Sequence, residues 1–380
     1  VVIPQLAFTE DKFIQGLHVF CVGGAVRDTL LQRAEGDKDW VVVGASPEEM
    51  LARGFTPVGG DFPVFLHPVT KQEYALARTE RKSGRGYQGF TFYTGKEVTL
   101  TEDLQRRDFT VNAMATDSQG SLHDPYHGYE DLRLKLFRHV GDAFIEDPVR
   151  VLRLGRFLSR FSDFKVAPET IVLCQQMVAN NEVDALVPER IWKEISRALM
   201  ADSPSRCFDF LHEIGALKRI MPLLSWTPSK ARLLDNTATA GLNLSQRYAL
   251  LSLGTPDIEK LSQQLRVARE QTDYANYLPE VVAGLDALSM PSMEALTETS
   301  AVNIVEFVER MDGIRKPERL LDLIALTMLI RDSQPALDWQ HIISTIKAVP
   351  VGEIAQQCEG DVALIKQKVK AARVQALLAI

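Results

Sequence analysis

The chain has 380 residues and a formal charge of −7 at pH 7, which allows two or three domains and excludes a global basic field. Any nucleic-acid surface must therefore be local. Four cysteines (Cys21, Cys174, Cys207 and Cys358) stand far apart with no Cys-x-x-Cys pair, so they read as reduced, mostly buried cytosolic thiols rather than disulfides or zinc ligands. Residues 1–16 carry Glu10, Asp11 and Lys12 and do not read as a signal peptide; no apolar run approaches the ~20 residues that span a bilayer. The expectation is a soluble, cytoplasmic protein without a membrane role.

The first apolar run, Val19-Phe20-Cys21-Val22, leads into Gly23-Gly24-Ala25-Val26-Arg27-Asp28 and then Asp37-Lys38-Asp39 ahead of Trp40-Val41-Val42-Val43. That order predicts a strand, a glycine turn opening a helix, and a second strand led by acids. Side chains two apart on a strand share one face, so Asp37 and Asp39 could hold divalent cations between them. A glycine turn lets backbone N–H groups and a helix N-terminus approach a phosphate, and Arg27 adds a charged donor. Phosphate grip plus paired acids suggests metal-assisted phosphoryl or nucleotidyl transfer. Taken alone, the acids fit a solvated surface turn equally well.

Further on, Ser46-Pro47-Glu48-Glu49 predicts a helix start, with Ser46 as N-cap, Pro47 first in the helix and Glu49 closing a capping box. Residues 62–66 and 73–77 read as strands joined by a turn at His67-Pro68-Val69-Thr70. Ser83-Gly84-Arg85-Gly86-Tyr87-Gln88-Gly89 reads as a loop, and a turn at Asp124-Pro125-Tyr126-His127-Gly128 precedes a closing strand near 136–139. Beyond 140, strand signals nearly vanish. Helix starts are expected at Pro148, Pro188, Ser203-Pro204 and Pro291, and residues 223–240 show no clear pattern, as in a linker or an irregular connection. The fold class is α+β: a mixed head, then an all-helical remainder.

Two stretches add chemistry. Asp103-Leu104-Gln105-Arg106-Arg107-Asp108-Phe109-Thr110-Val111-Asn112-Ala113-Met114 sets a basic pair and an acid beside an apolar helix. Arg107 could hold a triphosphate and Asp108 could accept from a ribose hydroxyl; ordinary surface ion pairs are the alternative. In Glu146-Asp147-Pro148-Val149-Arg150-Val151-Leu152-Arg153-Leu154-Gly155-Arg156-Phe157, Asp147, Arg150, Arg153 and Arg156 fall along one helix side at three-residue steps. Asp147 before Pro148 also fits a plain N-cap. The arginine row, continued by Arg160, repels itself unless anions sit nearby.

Gly-Gly-x-Val-Arg-Asp, Asp-x-Asp, Arg-Arg-Asp-Phe-Thr-x-Asn-Ala and Glu-Asp-x-x-Arg followed by arginines occur here in that order. The order resembles class II tRNA nucleotidyltransferases, the CCA-adding enzymes that share a superfamily with bacterial poly(A) polymerases. The likeness covers about residues 19 to 200. Trp40, Val58-Gly59-Gly60-Asp61-Phe62-Pro63-Val64-Phe65 and Ala77-Arg78-Thr79-Glu80-Arg81-Lys82-Ser83-Gly84 look closer to the CCA-adding branch. The resemblance implies a polymerase-β-like head with a mixed sheet (17–140), a helical neck with a nucleotide-selecting helix (141–200), a body (201–290) and a tail (291–380). It implies Mg²⁺ held by Asp37 and Asp39, with Glu73 either a third carboxylate or a strand-edge surface acid. Gly24 and Arg27 would grip the triphosphate, Arg107 and Asp108 would meet phosphate and ribose, and Arg153 and Arg156 would extend the site toward phosphates. Ile191, Trp192 and Glu194 would brace the neck helix.

Asp147 and Arg150 resemble the family's amino-acid template, and the chemistry agrees independently. Cytosine and adenine each present an amine donor beside a ring-nitrogen acceptor, which a carboxylate and a guanidinium complement. Guanine and uracil reverse the pattern and leave buried groups unpaired, at about 1–3 kcal/mol each. The expected partners are the tRNA 3′ end, CTP and ATP, with no obligate protein partner.

Many relatives carry a metal-dependent HD phosphohydrolase domain, but after His212 only His341 remains, so such a site cannot be assembled here. His123, His127 and His139 read as turn or surface histidines. Addition of A alone or of CC alone, and poly(A) synthesis, stay as alternatives; segment 78–90, shortened in CC-only relatives, is kept. A non-enzymatic RNA-binding protein is disfavoured because every motif acid is present. Bases are slightly outnumbered by acids after 221, so tail contact with tRNA phosphates needs a local patch; Lys366, Lys368 and Lys370 are either that patch or a solvated end.

Overall fold

Valine-rich strands form the centre of the head. In a computed structural model, which describes residues 1–34, 36–58, 64–82, 90–288, 296–359 and 361–380, the strands are β1 (His18–Val22), β2 (Asp39–Val43), β3 (Thr56–Val58), β4 (Val64–Leu66), β5 (Glu73–Leu76), β6 (Thr79–Lys82), β7 (Phe90–Tyr93), β8 (Ala115–Thr116) and β9 (Leu122–His123). Seven of them build a mixed sheet in the order β3-β4-β5-β2-β1-β8-β9, and β6 pairs separately with β7. Within the seven-stranded sheet, among the described residues, only β2 and β5 run parallel. Val41 and Val42 are each 1 % exposed, so β2 is covered on both faces, as its unbroken apolar run requires. Val22, Val41, Ala77, Val98, Leu104, Ala113 and Ala115 make the core beneath the site.

Register brings the chemistry together. Val22 stands opposite Asp39, and Trp40 opposite Tyr74, so the glycine turn, Asp39 and Glu73 emerge at one end of three adjacent strands. Gly23 has φ +73°, and a Cβ there would lie 3.0 Å from Nη1 of Arg107. Only glycine allows this turn to close against the arginine.

The chain divides into two units, Val1–Ala198 with Arg206–Ile220, and Leu199–Ser205 with Met221–Ile380. The first holds the sheet and the helices Gly24–Leu30, Val149–Arg160, Pro168–Ala179, Pro188–Leu199 and Ser205–Glu213, the last two each reaching across the boundary by one residue. Among its described residues the second contains helices and no strand. There, Tyr274 donates to Asp322 at 2.8 Å, while Arg331 donates to the Val282 carbonyl at 3.1 Å and to Asp286 at 2.6 Å. The contacts ascend together, so helices Arg269–Ala287 and Pro317–Arg331 run parallel.

Several local expectations change. Asp37 precedes the strand, which begins at Asp39, so the acid pair is not held by strand pleating. Ser46 accepts from the Glu49 amide at 3.3 Å, but the Glu49 carboxylate reaches Arg53 at 3.5 Å, leaving the cap one-sided. Leu136–Phe137 pairs in parallel with Lys165–Val166 and not with the main sheet. The stretch read as a linker contains the helix Pro228–Thr239, capped by Thr227; Lys230 and Thr237 occupy buried positions beside Leu234, which hid its apolar stripe. Lys230 is tolerated because its ammonium donates to the Ser225 carbonyl at 2.5 Å. Residues 62–63, the loop 83–89 and the helix start at Pro291 lie outside the described residues. All four cysteines are buried, and none is joined in a disulfide.

Candidate active site

A cleft of about 510 Å³ lies at the mouth of the glycine turn. Its walls include Gly24, Arg27, Asp39, Arg107, Asp108, Asp147, Arg150, Arg153 and Arg156, so most of the residues singled out by sequence converge on it. Asp37 and Glu73 do not line it, but both act electrostatically on Asp39. Burial raises the Asp39 pKa, and with the Glu73 and Asp37 charges this outweighs the opposing pull of Arg107.

The glycine-turn helix places Arg27 by a chain of charged contacts. Arg27 is 3 % exposed; Nε donates to Asp28 at 2.8 Å and Nη1 to the Asn112 side-chain oxygen at 2.5 Å. Arg160 donates to the other Asp28 oxygen at 2.8 Å, which locks this helix to the arginine helix Val149–Arg160. Phe157 packs among the guanidinium groups, 5.1 Å from Arg27, 5.6 Å from Arg153 and 4.5 Å from Arg156.

Tertiary carboxylates explain how the arginine row is tolerated. Arg153 meets Asp108 at 2.8 Å, Arg156 meets Glu194 at 2.5 Å, and Arg160 meets Asp28. Arg150, 8 % exposed, donates to the carbonyls of Ala143 at 2.7 Å and Arg106 at 2.5 Å. Arg106 and Arg107 share the fully buried Asp103, at 3.0 and 3.3 Å. Nine described arginines line the cleft against Asp39, Asp108 and Asp147 on its wall and Asp28, Asp103 and Glu194 engaged with them, leaving a positive surplus suited to an anionic ligand.

Asp108 is heavily engaged. One oxygen accepts from the Phe109 amide at 2.8 Å and from Asn112 at 2.9 Å, and the other accepts two donors of Arg153, each at 2.8 Å. Burial disfavours its charge, but Arg153, the Asn112 hydrogen bond and Arg150 outweigh burial and bring the pKa to about 2. A folded pKa below the unfolded value contributes stability above pH 4 that is lost as pH falls toward 2. Asp108→Asn is therefore expected to be destabilised by about 2 kcal/mol at pH 7, with the gap closing by pH 3 to 2. Urea melts at several pH values read this; a pH-independent gap refutes it.

Asp147 has a partner that sequence reasoning missed. Arg190, on the helix Pro188–Leu199, grips it through two bonds, Nη1 to Oδ1 at 2.9 Å and Nη2 to Oδ2 at 2.7 Å. Oδ1 also accepts from the Val149 amide at 3.2 Å, so Asp147 retains part of its capping role although Pro148 is the N-cap residue. Arg190 and Glu194 are four apart and would normally pair along their own helix. Here Glu194 turns to Arg156 on the arginine helix, and Arg190 to Asp147 just ahead of it. Arg78, Arg106, Asn112 and Arg160 also line the cleft. His123 contacts Asp117 at 3.3 Å and His139 contacts Thr170 at 2.7 Å, both in structural roles.

Comparisons with known proteins agree with this geometry. A model described as the poly A polymerase head domain matches residues 19–138, and one described as a probable RNA- and SrmB-binding site of polymerase A matches 163–227. Together with the arginine-lined cleft, this defines the class: a nucleotidyltransferase with a polymerase head and an RNA-binding helical segment. The CCA-adding enzyme of Bordetella pertussis is 53% identical over 369 residues, covering 97% of this chain and 98% of the relative. The multifunctional CCA protein of an Azoarcus species is 43% identical over 402 residues, covering 96% and 97%. The crystal structure of the Bacillus stearothermophilus CCA-adding enzyme in complex with CTP aligns with a TM-score of 0.70 and 25% identity, covering 97% of this chain and 91% of that one. The chain belongs to the family of CCA-adding enzymes.

Membership implies use of a divalent metal. The donor chemistry fits: carboxylate oxygens are hard ligands, and the like charges that raise Asp39 are those a cation would neutralise. Among the described residues, no three His, Cys, Asp or Glu side chains are grouped to hold a metal, so Asp37, Asp39 and Glu73 form no closed cage.

Proposed function

We propose that this enzyme adds CCA to the 3′ end of tRNA from CTP and ATP without a nucleic-acid template, releasing pyrophosphate. The observation that carries this reading is the Asp147 carboxylate and Arg150 guanidinium set on the wall of the same cleft as Asp39 and the glycine turn. The first two match the amine and ring-nitrogen pattern shared by cytosine and adenine. Backbone donors at Gly24, with Arg27 and Arg107, hold the triphosphate. Asp108 keeps Arg153 extended along the cleft, and a ribose hydroxyl reaching Asp108 displaces one of its present donors. Asp37 and Asp39, with Glu73 beside them, would hold Mg²⁺, which supplies Lewis acidity toward the primer hydroxyl and the departing pyrophosphate. We place the enzyme in the cytoplasm, with tRNA; no helix of the described residues is long and apolar enough to cross a membrane.

The test uses three tRNA transcripts, ending before CC, before A, and complete, each incubated with CTP, ATP or both. Three added nucleotides on the first, one on the second and none on the third are expected. Addition stopping after CC, addition of A alone, or long adenosine tracts assigns the chain to the corresponding alternative. No extension of any transcript overturns the proposal.

A further inference from the structure

The parallel helices Arg269–Ala287 and Pro317–Arg331 bring their first turns to one cleft of about 800 Å³, whose walls also include Tyr277 and Lys347. Neither N-cap residue, Ala268 or Lys316, gives a side-chain acceptor to the first-turn amides, whereas Thr227, Asn243 and Thr297 do so for other helices of this unit. Two helix N-termini thus direct partial positive charge to one place.

A second observation is independent of the helix ends. Arg319, 8 % exposed, lines the cleft and lies 3.9 Å over the Tyr277 ring. It donates to the Met311 carbonyl at 3.1 Å, but Asp273 and Asp312 stand off at 3.9 and 3.8 Å, and its Nε has no hydrogen-bond partner. A well-paired guanidinium holds a carboxylate at about 2.7–2.9 Å, so this one is under-used. Exposed Arg269, Lys316 and Lys347 also line the cleft. Arg315 is engaged by Asp312 at 2.8 and 2.9 Å, and Glu270 and Glu318 temper the field, which suits one compact anion better than a broad basic track.

We propose that this cleft holds a backbone phosphate of the tRNA substrate. The inference rests on tRNA being the substrate and names where the helical unit would hold it. The lysine-patch alternative has less support: on the helix Val362–Leu378, Lys368 points about 200° away from Lys366, and Lys370 is paired with Glu306.

The test is the double variant Lys316→Ala/Lys347→Ala, both sites exposed, with Arg319→Met as a second variant. Affinity for a tRNA lacking CCA is measured between 50 and 250 mM salt, beside the KM for tRNA, kcat at saturating tRNA and a thermal melt. The double variant is expected to weaken binding about tenfold and flatten the salt slope by about one to two, with kcat within about twofold and the melting temperature unchanged. Unchanged affinity and slope in both variants, beside a wild-type protein that still extends the tRNA, overturns this site and leaves the substrate reading standing. A wild-type protein that neither binds nor extends tRNA overturns both.

Discussion

Asp39→Asn is expected to lower nucleotide incorporation at least about a thousandfold, equivalent to about 4 kcal/mol of transition-state stabilisation, while tRNA binding and thermal stability stay near wild type. Asp39 opens the second strand opposite Val22, beside the glycine turn and the first residue of the adjoining strand, Glu73. Its carboxylate is raised by burial and by the neighbouring acids, so the substitution removes like-charge repulsion and is not expected to unfold the head. Loss of activity with a retained melt therefore separates a metal-binding role from a structural one. Asp37→Asn should act in the same direction, and Glu73→Gln distinguishes a third ligand from an edge residue by whether the Mg²⁺ concentration needed for half-maximal rate rises. Turnover above one tenth of wild type in Asp39→Asn would remove the metal assignment.

Base choice should fail in three variants together. Asp147→Ala, Arg150→Ala and Arg190→Met are each expected to reduce the preference for CTP over UTP by about 10- to 100-fold, the equivalent of about 1–3 kcal/mol for a buried mismatched pair. A carboxylate offers about four acceptor sites. Arg190 and the Val149 amide take both sites on Oδ1 and one on Oδ2, which leaves a position on Oδ2 for an exocyclic amine. Arg190 needs no contact with the base to matter, because it fixes which way that remaining site points. Asp147→Ala should also lose about 0.5–2 kcal/mol of helix-start stability, whereas Arg190→Lys keeps the charge but not the two-bond geometry. The measurements are kcat/KM for all four nucleotides beside a thermal melt. A destabilised Asp147→Ala that still excludes UTP means the base is selected elsewhere, and a fully discriminating Arg190→Met removes the positioning role.

The amino-acid sequence alone determined the strand, glycine turn and acid-led strand, the change to an all-helical chain beyond the head, and the ordered motifs that resemble this family. Those features are local: alternation, a residue that must be glycine, a three-residue step of arginines. Each is decided within one turn or one strand. The helix at Pro228–Thr239 escaped notice because Lys230 and Thr237 fill positions where an apolar residue was expected. Only the tertiary structure decided which acid serves which arginine. Asp147 meets Arg190 43 residues away, Asp108 meets Arg153 after 45, Arg156 meets Glu194 after 38, and Asp28 meets Arg160 after 132. Nothing in chain spacing selects these partners, since a buried charge takes whichever opposite charge the packed helices bring within about 3 Å. The arginine row was legible from its own repulsion as one that needs anions nearby, but the carboxylates that make it stable, and the one Asp147 acceptor they leave unfilled, exist only once the helices have packed.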